Sequence, residues 1–255
     1  MIKNGTKNSN PNRSKRKFVV GIDEVGRGPL AGPVTVVAVA LPARCQVSRV
    51  KYQERCRTRN LVLKDSKKLT PKQREAWFSY FKSHPQIEYA VARVYPRAIE
   101  RMNISAAENV AALRAFGRLT VKCQLSNVNC SVFLDGGLFL GNHRSGLTRK
   151  SGAVEAEKRG SRNIRAYPLL KNKKHPRISA STVVRGDEKI KVVSMASIVA
   201  KVSRDRAMVR LAKQYPQYGF EVHKGYGTRA HLAAIKKYGI CGVHRKTFDP
   251  IARMS

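Results

Sequence analysis

Apolar residues in this chain come in short runs punctuated by glycine, proline and charge. One run, 18–22, ends on Asp23-Glu24, and a second covers 34–41. Gly26, Gly28, Pro29, Gly32 and Pro33 fill the space between them, which predicts strand, tight turn, strand. Thr70-Pro71 opens a helix that the pattern carries to residue 82, with Thr70 as N-cap and Pro71 in the first turn. Residues 87–94 read as a strand. Residues 104–122 read as a helix, with Ser105 as cap and Glu108 at capping-box spacing. Short strands follow at 131–134, ending on Asp135-Gly136, and at Val183-Val184, before Arg185-Gly186-Asp187. Met195, Ile198, Val199 and Val202 mark one helical face, and Leu232, Ile235 and Lys236 begin a last helix. Strands interleaved with helices predict an α/β fold, and no internal repeat is visible.

Two stretches break the pattern. Residues 44–60 and 142–177 carry many bases and little periodicity, the second with 11 Lys or Arg against Glu155 and Glu157. Both read as basic insertions, and the longer one is open to two readings, disorder or a mobile flap over nucleic acid. Residues 1–17, basic and without an acid, read as a flexible tail ahead of a domain spanning 18–255.

Charge narrows the class of partner. With 51 Lys and Arg against 16 Asp and Glu, the formal net charge is +35, which works against compaction and points to a polyanion. Aromatic residues are only 7%, so phosphate contact on a duplex fits better than stacking along a single strand. The same composition also suits a basic binding protein without chemistry. Five cysteines with no C-x-x-C pair and no apolar leader read as reduced thiols in a cytosolic protein, and argue against zinc. No apolar stretch approaches bilayer-spanning length, so no membrane role is expected, and a monomer is the default.

The scarce acids are where chemistry is to be sought. Asp23, Glu24, Asp135 and Asp187 each follow an apolar run and adjoin glycine, so they stand at strand ends. Taken singly, each suits an ordinary turn. Taken together, neighbouring strand ends would converge their carboxylates, and two like charges about 4 Å apart repel by about 4 kcal/mol at an effective dielectric of 20. A hard divalent cation, Mg²⁺ or Mn²⁺, relieves that repulsion. Asp205, flanked by Arg204 and Arg206, reads instead as a structural ion pair.

Gly26-Arg27-Gly28 lacks the glycine spacing and following helix of a dinucleotide loop. Its glycines suit either a tight turn or close approach to sugar and phosphate, with Arg27 adding charge. Ser66-Lys67-Lys68 precedes a helix N-terminus, placing it either against phosphate or in a solvated turn. Tyr226 lies between glycines, either exposed to stack on a sugar or packed as a lid. The histidines show no metal-ligand spacing, and neither a Ser–His–Asp nor a Cys–His arrangement is suggested.

These segments resemble ribonuclease HII. The resemblance rests on 21–33, GIDEVGRGPLAGP, then on 63–69, LKDSKKL, then on Leu134-Asp135-Gly136 and Gly186-Asp187. It continues through 196–202, ASIVAKV, with Arg204-Asp205, and 224–228, KGYGT, with His231, in the same order over about 18–250. It implies a ribonuclease H-like mixed sheet flanked by helices, with a helical C-terminal part. It further implies that Asp23, Glu24, Asp135 and Asp187 form a metal site for Mg²⁺ or Mn²⁺. Gly26, Arg27 and Gly28 would sense the ribose 2′-OH, Tyr226 would lie beside that sugar, and Ser66 and Lys67 would contact phosphate. The substrate implied is an RNA–DNA hybrid, or duplex DNA with embedded ribonucleotides, cut 5′ of the ribonucleotide to leave 3′-OH and 5′-phosphate. Two features depart from the family pattern: the long interval between Asp135 and Asp187, and the segment 103–108, NISAAE. The competing expectations are a non-catalytic binder on the same fold, and a metal nuclease that also cuts all-DNA duplexes.

Overall fold

The computed structural model describes residues 17–45, 49–54, 57–125, 128–140 and 178–254. Its elements in chain order are β1 (Lys17–Val25), β2 (Val34–Pro42), β3 (Arg49–Glu54), β4 (Arg57–Val62), α1 (Pro71–Ser83), β5 (Glu88–Val94), α2 (Pro96–Met102) and α3 (Ile104–Lys122). They continue with β6 (Asn129–Asp135), β7 (Ile178–Val183), α4 (Gly186–Lys189), α5 (Lys191–Gln214), α6 (Phe220–His223) and α7 (Arg229–Tyr238). Residues 1–16 and the whole of the basic stretch expected at 142–177 lie outside the described residues.

Five strands form one mixed sheet in the order β5-β2-β1-β6-β7. The β1–β2 and β2–β5 pairs are antiparallel, while β1, β6 and β7 run parallel, so the carboxyl ends of the last three lie along one edge. Both sheet faces are covered, which is why β2 is buried from Val34 to Leu41 and, Thr35 apart, apolar throughout rather than alternating. Val20, Ile22, Val36, Ala38, Val132 and Leu134 face α3, whose Ala107, Ala111 and Ala115 let the helix approach closely. Val37, Val39 and Phe133 face α5 and the aromatic residues Trp77 and Phe81 of α1. Each buried Val, Leu, Ile or Phe among them contributes about 1.5–3 kcal/mol.

Local signals account for most boundaries. Thr70 caps α1 in a reciprocal capping box with Gln73, and Pro71 opens the helix. At α3 the cap lies two residues earlier than the expected Ser105: Asn103, at φ 66°, accepts from the Ala106 N–H at 2.9 Å. An Asn tolerates that left-handed backbone where Ser would not, so Ser105 sits inside the helix. The 44–60 stretch, read as an element-poor insertion, contains the β3–β4 hairpin, whose strands pair from Arg49↔Val62 to Glu54↔Arg57. The strand expected at Val183-Val184 lies earlier, at Ile178–Val183, and Val184 is exposed. Asp205 lies on α5, where its charge is felt by Lys201 and Arg204.

One close contact sets the depth of α5. A Cβ on Gly21 would lie 2.4 Å from the Val192 backbone carbonyl carbon and oxygen, so only glycine lets the first turn of α5 sit directly on β1.

The C-terminal helices form a smaller layer with its own core. Met208, Tyr218, Phe220, Ile235 and Ile251 pack there on Leu30 and Ala31 from the turn after β1. A hydrogen-bonded chain of histidines runs through it. The Cys241 N–H donates to His244 Nδ1 at 2.9 Å, so His244 carries its proton on Nε2. That proton is directed at His231 Nε2, 3.1 Å away, and His231 Nδ1–H then donates to the Tyr226 carbonyl at 2.9 Å.

Gly21→Ala is expected to separate α5 from β1 and to cost about 1–3 kcal/mol of stability, read as a lower urea midpoint; an unchanged midpoint would refute the close-contact account. Burial, reinforced by neighbouring histidines, pushes His231 down to about 4 against its ordinary 6.5. The unfolded chain therefore takes up this proton first. Stability is fully present above pH 6.5 and declines towards pH 4, by about 1.4 kcal/mol per pH unit for this one group. An NMR titration of the imidazole is expected to show His231 neutral at pH 5.5, and a midpoint near 6.5 would contradict the relay.

Candidate active site

Asp23 and Glu24 immediately precede Val25, the last residue of β1, and their side chains leave opposite sheet faces by strand alternation. Asp23 turns towards α5, where it bonds the Ser197 hydroxyl, and Glu24 turns towards α3, where its carboxylate feels the charge of Glu108. Asp135 ends β6 one pairing step beyond Ile22↔Leu134, which brings it beside Asp23. One carboxylate oxygen from each of Asp23, Glu24 and Asp135 lies within 4.8 Å of the others. The Gly186 N–H donates to Asp135 Oδ1 at 2.6 Å, tying β6 to the short helix α4. Asp187, on α4 and buried, is close enough for its charge to act on Asp23, and its Oδ2 takes the Lys67 ammonium at 3.4 Å. The structure thus gathers three of the four expected carboxylates into one tight group and places the fourth alongside, engaged with Lys67.

The electrostatics follow from this crowding. Burial, then repulsion from Glu24, holds the Asp23 carboxyl well above its ordinary value, with Asp135 and Asp187 adding to the shift. Burial, then Glu108 and Asp135, raises Glu24 to about 7. Glu24 Oε2 is buried with no hydrogen-bond partner. Oxygen donors this close, one of them buried without a partner, with the charges of Arg27 and Lys67 acting from the margin, are what a hard divalent ion requires, so the residues present fit such an ion.

The loops at this edge are held by two buried arginines. Arg245 donates to the carbonyls of Gly26 (2.6 Å), Arg27 (2.8 Å) and Gly32 (3.0 Å). Arg204 donates to Pro33 (2.9 Å), Ala31 (3.3 Å) and Lys224 (2.9 Å), joining the glycine turn to the segment that carries Tyr226. The Leu30 N–H to Gly225 carbonyl bond, 2.8 Å, completes the joint. Gly26 has φ +90°, and a Cβ there would lie 2.5 Å from Arg204 Nε, so its glycine is required by the turn itself. A Cβ at Gly28 would meet nothing within 4 Å, so that position stays open to an approaching ligand. Arg27 and Tyr226 are exposed, the latter at 45%.

Ser66 is buried, its hydroxyl 2.8 Å from the Ser197 hydroxyl, so it lies beneath the acidic group and a phosphate would reach it only by displacing that contact. Lys67 remains exposed on the turn that Asp65 caps. Sequence reading missed Arg204, Arg245 and Glu108 as organisers of this edge. Their chemistry is shared by dozens of other charged residues in the chain, and only burial singles them out.

The pattern of residues agrees with known proteins. The family model described as Ribonuclease HII matches residues 20–132 and 148–251. A ribonuclease HII of Endomicrobium trichonymphae is 38% identical over 233 residues, covering 91% of this chain and 86% of that protein. One from Coxiella burnetii is 34% identical over 237 residues, covering 93% and 91%. The solved ribonuclease H2 of Pyrococcus horikoshii OT3 superposes with a TM-score of 0.59 at 23% identity, covering 93% of this chain and 96% of that one, a likeness of fold. With its mixed sheet, its acidic edge and these relatives together, the chain belongs to the ribonuclease HII family and is a ribonuclease H enzyme.

Proposed function

We propose that this enzyme hydrolyses the RNA strand of RNA–DNA hybrids and cuts 5′ of ribonucleotides embedded in duplex DNA, leaving 3′-OH and 5′-phosphate ends. The observation that carries the reading is the meeting of Asp23, Glu24 and Asp135 oxygens within 4.8 Å at the edge that also presents Arg27 and Tyr226. Asp23, Glu24, Asp135 and Asp187 would hold Mg²⁺ or Mn²⁺. When bound, such ions lower the pKa of water and offset charge on the leaving oxygen.

The chain's own residues do the rest. Lys67 balances Asp187 at the rim of the site, where it also meets phosphate. The glycine turn, its carbonyls drawn inward by Arg245, offers its backbone and the open Gly28 position to the sugar edge of the duplex. The 2′-OH is the handle that distinguishes ribose from deoxyribose, and Tyr226 flanks it from the adjoining loop. A net charge of +35 adds affinity for either kind of duplex without adding specificity.

Asp135→Asn keeps the side-chain shape and removes one ligand charge. Cleavage of a duplex containing one ribonucleotide is expected to fall roughly a thousandfold, equivalent to about 4 kcal/mol of transition-state stabilisation, with binding changed by less than about threefold. Product mapping with each metal is expected to place the cut 5′ of the ribonucleotide and to leave an all-DNA duplex intact. Binding without metal-dependent cutting would favour a non-catalytic protein, and cutting of the all-DNA duplex would favour a general nuclease.

A further inference from the structure

Acids are scarce in this chain, and one of them occupies a costly position. Glu108 lies mid-face on α3 between Ala107 and Ala111, with its side chain only 1% exposed. A carboxylate at such a site loses several kcal/mol of hydration unless something recovers it, and an apolar residue would pack there at less cost. Its ion-pair partner is Arg27 of the glycine turn, which reaches across to it with Nη1. Arg27 Nη2 donates to Ser105 Oγ at 3.1 Å, one helical turn earlier on the same face. The guanidinium is therefore seated at two points on α3, as its planar fork allows and a lysine would not. Its side chain is still 50% exposed, and the other N–H bonds of its five donors are directed at no residue among those described.

Glu108 is engaged on one side only. Its Oε1 is buried without a partner, its charge acts on Glu24 of the acidic group, and the charge of Arg245 acts on it. A pair formed for stability alone would not leave one partner half in water and the other beside a like charge. The arrangement makes sense if what matters is where the guanidinium is held.

We propose that Glu108 is a positioning residue for Arg27, presetting the guanidinium at the glycine turn so that the enzyme favours a ribonucleotide-bearing duplex over an all-DNA one. The inference rests on the reading that this turn meets the ribose. Glu108 touches neither the substrate nor the reacting phosphate, and it acts through Arg27.

The test is a double-mutant cycle read by fluorescence anisotropy without metal, at fixed salt. Wild type, Arg27→Ala, Glu108→Gln, Glu108→Ala and Arg27→Ala/Glu108→Ala are each titrated with a single-ribonucleotide duplex and with its all-DNA counterpart. Arg27→Ala and Glu108→Ala are each expected to reduce the preference for the ribonucleotide about tenfold, and the double variant no further. Glu108→Gln keeps the shape and one acceptor for Arg27, so it is expected to recover part of the preference. With metal present, KM for the ribonucleotide duplex should rise more than kcat falls. Effects that multiply in the double variant, or a full preference retained in Glu108→Ala and Glu108→Gln while Arg27→Ala loses it, would overturn the positioning role alone. A preference unaffected by Arg27→Ala would overturn the role of the turn itself, and the proposal with it.

Discussion

Like-charged carboxylates packed together constrain everything else at this edge of the molecule. Two unit charges about 4 Å apart repel by about 4 kcal/mol at an effective dielectric of 20, and burial adds a desolvation cost to each. The fold must hold Asp23, Glu24 and Asp135 together against that repulsion, and it does so with backbone that cannot yield. Asp23, two residues before the end of β1, and Asp135, the last residue of β6, stand on neighbouring parallel strands in the middle of a sheet buried on both faces. Moving either carboxylate away would require breaking the ladder that fixes Ile22 against Leu134. Sites at the carboxyl ends of parallel strands recur in α/β folds for this geometric reason.

The second layer of constraint runs through buried guanidinium groups. Arg204 and Arg245 have no carboxylate partner among the described residues, and six backbone carbonyls accept from them instead. Charge-assisted bonds of this kind are stronger than neutral ones, and here they weld three separate segments: the glycine turn, the loop before Tyr226 and the chain near Val243. The neutral His244–His231 relay fixes the Tyr226 carbonyl from the other side. Positive charge at Arg204 and Arg245 thus holds backbone inside a chain whose formal net charge is +35.

How much of this can be read from the chain depends on the range of the interaction. The strands ending at Asp23 and Asp135 were legible because apolar runs of four or more residues stop at an acid and a glycine. The Thr70 cap of α1 was legible because cap, Pro71 and the start of the helix they open lie within one turn, whereas the reciprocal bond from Gln73 came only with the structure. The cap of α3 was not, since Ser105 and Asn103 are both good capping residues and only the left-handed backbone at Asn103 decides between them. The β3–β4 hairpin was hidden by its many basic residues, which mask any alternation of apolar and polar positions. Long-range partners leave no local trace at all. Nothing in the sequence near Glu108 points to Arg27, 81 residues away, nor does anything near His231 point to Cys241 and His244 as a relay.

The account stands on the acidic group being a cation site rather than a set of protonated, mutually bonded side chains. The most direct measurement is anomalous diffraction at the manganese edge from crystals of the protein soaked in Mn²⁺ at neutral pH. The account predicts anomalous density within coordination distance, about 2.0–2.4 Å, of oxygens from Asp23, Glu24 and Asp135. Density found only elsewhere on the molecule, with those three carboxylates hydrogen-bonded to one another, would contradict it.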